Sequence, residues 1–167
     1  MTKQRYQVEF KNTTFVPFIQ TNFAGDPNQS NFNSTTREGW VMIPDEALAL
    51  RMRGDGFNVK ETIPQEGQTD FVPDYYVAVK LNFEKNYERA PDVKIILIMP
   101  DGTNVALDAD SVSEIDRLHR NRLIRSVTVL CNMRFNTNGM PNTLYIQEMT
   151  VEALAAGDPY AGYLRYN

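Results

Sequence analysis

A chain of 167 residues, 42% hydrophobic and 23% charged, suffices for one cored domain and is too apolar for global disorder. Cys131 is the single cysteine, which excludes an intramolecular disulfide and suits a reducing compartment. The net charge of −4 weighs mildly against nucleic acid as a partner. Its distribution tempers that: Asp101, Asp108, Asp110, Glu114 and Asp116 run without a base, then Arg117, Arg120, Arg122, Arg125 and Arg134 run without an acid.

In chain order, the first twenty residues read as one extended strand. Tyr6, Val8 and Phe10 alternate with Gln7, Glu9 and Lys11, and the β bias continues from Phe15 to Ile19. Asn22 to Thr36 is rich in Asn, Ser, Thr and Gly; nothing in it promises a core, so a mobile loop is expected. Trp40 to Ile43 is a short strand. A helix follows over roughly Pro44 to Arg53, with Asp45 and Glu46 at its N-terminus and a stop at Gly54-Asp55-Gly56. Phe57 to Glu61 returns as a strand, and 62–74 is a second polar loop.

From Tyr75 the period of two is clear, with Tyr75, Val77, Val79, Leu81 and Phe83 inward and Tyr76, Ala78, Lys80 and Asn82 outward. Val93 to Met99 is apolar on both faces apart from Lys94, and Pro100-Asp101-Gly102-Thr103 turns it into Asn104–Leu107 as a hairpin. Ser111-x-x-Glu114 reads as a capping box for a helix with Val112, Ile115 and Leu118 as its apolar stripe. Val127, Val129, Cys131 and Met133 form the inner face of the next strand. A hairpin loop over 136–141 leads to a return strand, Leu144 to Val151, whose imperfect alternation leaves its faces unassigned. The expected fold is mainly β: an oligonucleotide-binding (OB)-like five-stranded antiparallel barrel with one inserted capped helix, an extra short helix and long polar loops. A plain β-sandwich is the alternative. Residues 1–151 make the domain and 152–167 a C-terminal tail.

Catalysis has little to build on. His119 is the only histidine and reads as a solvated helix terminus; with one His and one Cys, a zinc site of the usual ligands cannot form. Asp108, Asp110 and Glu114 lack calcium-loop spacing, and Gly54-Asp55-Gly56 lacks the rest of a phosphate loop. No enzyme, cofactor or metal is expected. The longest apolar run, Ile95 to Met99, is too short to cross a bilayer and no signal peptide is evident, so a cytoplasmic protein without a membrane partner is expected.

Aromatics interleaved with cations suit single-stranded nucleic acid, which needs π faces for bases and cations for phosphates. Tyr76 with Lys80, Lys85 with Tyr87 and Arg89, Arg134 with Phe135, and Arg37 with Trp40 all show that pattern.

Longer motifs add to it. Asn22-Phe23-Ala24-Gly25 leads to a strand, a short helix and Asp55-Gly56-Phe57-Asn58-Val59-Lys60. Val77-x-Val79-x-Leu81-x-Phe83, Leu107-Asp108-x-Asp110-Ser111-Val112 and Tyr145-Ile146-x-x-Met149-x-Val151 follow. In that order they resemble the phage and mobile-element single-stranded DNA-binding proteins with an OB fold. The likeness covers about three quarters of the chain. Where that family often carries an Ile-Arg-Pro-aromatic segment, this chain has Cys131 to Phe135, and an acidic C-terminal docking tail is missing. The resemblance implies single-stranded DNA binding in phage replication or recombination, in the host cytoplasm, with a phage recombinase or replication protein as partner; a homo-oligomer is compatible. Arg37, Lys60, Lys80, Lys85 and Arg134 would meet phosphates, and Trp40, Tyr76, Tyr87 and Phe135 would stack on bases. Two rivals remain: a phage protein-interaction module (an inhibitor or assembly factor, drawing on Tyr160, Tyr163 and Tyr166) and a virion structural β-domain.

Overall fold

The computed structural model describes residues 6–29, 35–63, 67, 72–83 and 93–155. Strand β1 (Gln7–Thr13) pairs antiparallel with β7 (Ile124–Arg134), and β7 pairs antiparallel with β8 (Thr143–Ala153). The start of β8 meets β4 (Tyr75–Lys80) in parallel at Tyr145 and Lys80, and β4 pairs antiparallel with β2 (Glu38–Ile43). The ring returns to the chain after β1: Phe15 bridges Val41, Val16 N–H donates to the Trp40 carbonyl and Met42 N–H to the Thr14 carbonyl, each at 2.9 Å. The fold is therefore mainly β and OB-like, with helix α2 (Ser113–Arg120) between the third and fourth barrel strands. The β4–β8 seam is parallel, the one departure from antiparallel pairing around the ring. A short strand β3 (Lys60–Glu61) lies on β4. Strand β5 (Lys94–Ile98) runs parallel to the later half of β8 and carries β6 (Asn104–Leu107) on its far side.

Inward side chains of all five barrel strands fill one core: Phe10, Val41, Val77, Val79, Val127, Val129, Leu144, Ile146 and Met149 are buried. The irregular alternation of β8 has a cause in its pairing. Leu130 pairs with Glu148 but Cys131 pairs with Ile146, so Gln147 is extra and the inward residues change from even to odd numbers there. The first strand is shorter than its sequence suggests. It ends at Thr13 after a register break and Asn12 in the left-handed region (φ 49°), and Pro17 to Ile19 turn instead of extending.

Helix α1 (Glu46–Gly54) starts from Asp45, whose carboxylate accepts the Ala47 and Leu48 N–H groups; Pro44 precedes the cap. The expected capping box of α2 does not form. The Ser111 hydroxyl turns back to the Asp108 carboxylate, Glu114 pairs with Arg117, and Val112 at the N-cap offers no side-chain bond. Asp108 instead accepts the Asp110 and Ser111 N–H groups and fastens the turn that enters the helix.

The described part of the loop after β1 is also more built than its polar composition implies, and residues 30–34 of it lie outside the described residues. Phe23 is fully buried, its ring 5.5 Å from that of Phe15. It presses so closely on Gly39 that a Cβ there would stand 2.6 Å from Phe23 Cζ, so only glycine fits. Thr21 and Asn22 are buried beside it.

Candidate nucleic-acid interface

The period of two in β2 and β4 puts Val41, Ile43, Tyr75, Val77 and Val79 in the core and leaves the alternate residues on an outer face. Across that face Met42 stands opposite Tyr76, Trp40 opposite Ala78 and Glu38 opposite Lys80. On the other edge of β4, Lys60 of β3 faces Tyr76 and Tyr145 of β8 faces Lys80. Trp40, Tyr76, Lys60 and Lys80 thus lie on one face. Trp40 and Tyr76 are half-buried, their rings edge-on with centroids 5.7 Å apart. Phe18 completes the group: its ring lies 5.7 Å from Tyr76 at 87°, and 64% of the residue is exposed. Neither lysine forms an ion pair with a described residue. Reading Phe15 to Ile19 as strand concealed Phe18; Pro17 just before it was the signal for a turn.

The segment carrying Phe18 is held from beneath by α2. Asp116, fully buried, accepts the Thr21 hydroxyl at 2.7 Å and the Phe23 and Ala24 N–H groups at 2.9 Å, with Gln29 Nε2 at 3.2 Å. Gln20 Nε2 donates to the Asp116 carbonyl at 3.0 Å. With four donors around it the buried side chain has its oxygens hydrogen-bonded, as a buried polar group must. His119 is buried too, contrary to the solvated helix end expected of it. Its Nε2–H donates to the Ile19 carbonyl at 2.9 Å, and its ring stands edge-on to Phe15 at 5.6 Å. Burial pushes its pKa down, against the nearby Ile19 and Val16 carbonyls and the Asp116 carboxylate. Both polar residues were hidden because they sit one residue after the apolar positions Ile115 and Leu118, widening the buried stripe of α2.

Arg37 is engaged within the fold. Its Nη1 donates to the Phe23 carbonyl at 2.7 Å and the Ala109 carbonyl at 3.2 Å, and its guanidinium lies 5.3 Å over the Phe83 ring. It braces the loop. Phe135 and Arg134 lie elsewhere, at the end of β7. Phe135, 47% exposed, meets Tyr6 and Phe57 edge-on at 5.7 and 5.6 Å, and Arg134 is exposed. Beside them a cleft of about 450 Å³ opens between α1 and the barrel, lined by Tyr6, Val8, Leu48, Met52, Met133 and Phe135. Asn142 fixes that end, donating to the Asp55 carbonyl and accepting from the Asn136 N–H, both at 2.7 Å. Lys85, Tyr87 and Arg89 lie outside the described residues, as do Tyr160, Tyr163 and Tyr166.

Among the described residues no cluster of His, Cys, Asp or Glu is arranged to hold a metal ion, and no helix is long and apolar enough to cross a membrane. Cys131 is buried in the core, and burial pushes its thiol pKa up, which keeps it protonated and unreactive.

The chain is similar to gp2.5, a single-stranded DNA binding protein encoded by bacteriophage T7. The two align over 98% of this chain and 97% of that one, with 12% identity and a TM-score of 0.39. A likeness of this degree carries no functional argument. No protein-family model and no curated protein sequence matches the chain.

Proposed function

We propose that the protein binds single-stranded DNA without strong sequence preference, as a phage replication or recombination protein would. The observation that carries this reading is the outer face of β2 and β4, where Trp40, Tyr76 and Phe18 cluster between Lys60 and Lys80. In OB barrels the face of the second and third strands, with the loops flanking it, is the usual oligonucleotide surface. Here β2 and β4 are those strands, and Phe18 comes from the loop between the first two. Bases would stack on the three rings while the two lysines neutralise phosphates. Arg134, the last residue of β7, and Phe135 after it would take the strand further, and Lys85 and Tyr87 would add to it. Arg37 drops out of the phosphate set and acts as a loop brace.

Titrating a labelled thirty-nucleotide poly-dT with the protein tests the reading by anisotropy. Contacts from Lys60, Lys80, Lys85 and Arg134 give a log–log salt slope of about −2.8, roughly a fiftyfold loss between 50 and 200 mM salt. Duplex DNA should bind far more weakly. No binding at micromolar protein in low salt would overturn the proposal and favour a protein-interaction module.

A further inference from the structure

Strand β6 is a sheet edge. It pairs with β5 on one side and, among the described residues, with no strand on the other. Its free groups follow from the hairpin register. Met99 N–H donates to the Thr103 carbonyl at 2.8 Å, so hydrogen-bonded pairs recur at Leu97 with Val105 and at Ile95 with Leu107. The intervening residues, Asn104 and Ala106, aim their N–H and C=O groups away from β5. Both residues are exposed, and neither has a hydrogen-bond partner among the described residues.

The side chains add an apolar row and a charge. Val105 is 38% and Met99 36% exposed, and Leu107 is half-buried next in line. Exposed Asp101 closes one end of the strand; Asp108 and Asp110, both exposed, close the other. The Thr103 N–H holds the Asp101 carboxyl below the ordinary carboxylate range, and the Ser111 hydroxyl does the same for Asp108. Lys94 stands across the ladder near Asp108 but makes no ion pair with it.

An unpaired edge invites an added strand, and the acids decide which kind. A second copy would bring Asp101 of each chain to the Asp108–Asp110 end of the other, setting like charges together. We propose that β6 docks an extended, basic and apolar segment of a partner protein, which adds to the sheet as a further strand. The proposal stands apart from DNA binding, since β6 shares no residue with the Trp40–Tyr76 face.

The test uses the full-length protein and a labelled, end-capped (Lys-Val)5 peptide, with (Glu-Val)5 as the charge-reversed control. The lysine peptide should bind at least about tenfold more tightly than the glutamate peptide, and saturation should slow amide exchange of Asn104 and Ala106 about tenfold. Val105 and Leu107, already bonded to β5, should change little. Ala106→Pro removes one outward N–H and leaves the β5 pairing intact, so it should weaken the peptide about tenfold and leave poly-dT binding unchanged. Asp101→Asn with Asp110→Asn should also weaken it while preserving the turns. Equal binding of the two peptides, protection at sites other than Asn104 and Ala106, or unweakened binding by either variant would overturn the proposal. Self-association lost on Ala106→Pro would do so too, in favour of a second copy.

Discussion

The exposed Phe18 ring meets Tyr76 edge-on, so a loop side chain and a strand side chain form one aromatic surface. If bases stack there, Phe18→Ala and Tyr76→Ala should each weaken poly-dT binding by about 1–3 kcal/mol. Their losses should fall short of adding in the double variant, because the rings touch. Trp40 is the only tryptophan, so quenching of intrinsic fluorescence reports the contact directly. Unquenched Trp40 at saturating DNA would place the strand elsewhere.

Lys60 and Lys80 lie on the same face, and neither forms an ion pair with a described residue. Replacing both by Ala should flatten the log–log salt dependence by about 1.4 units, two single-strand phosphate contacts. Arg37→Ala should instead lower stability and leave that slope nearly as it was, since its guanidinium is bound to carbonyls.

Asp116 is the anchor of the loop that carries Phe18. Asp116→Ala leaves the Thr21 hydroxyl and the Phe23 N–H buried, and the Ala24 N–H half-buried, without this partner. At about 1–3 kcal/mol for each orphaned group, a loss of about 3 kcal/mol or more is expected, read as a lower urea midpoint. Thr21→Val should cost less, since it orphans one acceptor position of a carboxylate that keeps its other donors.

Burial holds the His119 imidazole below its ordinary range, near pH 6.5. The unfolded chain then takes up a proton at higher pH than the folded one. Stability should be greatest above about pH 6.5 and fall as the pH drops from there towards the lowered folded pKa. His119→Gln, which retains a donor for the Ile19 carbonyl, should flatten urea-midpoint curves in the window below about pH 6.5. A curve unchanged in that window would mean the imidazole titrates freely in the folded protein.

Cys131 should ignore a thiol reagent such as Ellman's until the barrel unfolds, because it is buried and its pKa is raised. Labelling in denaturant should follow the same midpoint as Trp40 fluorescence if unfolding is two-state.

Alternation by itself determined much of this protein. A side-chain period of two in β4 and β7 depends only on neighbours along the chain, so their core residues and the outward positions of Tyr76 and Lys80 could be read directly, whereas the outward face of Trp40 was settled by its pairing with β4. The same held for the Pro100–Thr103 turn, where Gly102 adopts φ 88°. Other features depend on partners far away in sequence, and only the tertiary structure decided them. The β8 alternation fails because Gln147 bulges against β7, a matter of pairing that local pattern does not encode. Phe23 looked like one ring in a polar loop until Gly39 gave it a cavity. Asp116 and His119 read as surface charge because composition assigns ionisable groups to water. They are buried because a loop some ninety residues earlier brings them its donors and a carbonyl. The same long-range geometry set the Arg37 guanidinium against the Phe23 carbonyl and brought Phe18 to Tyr76.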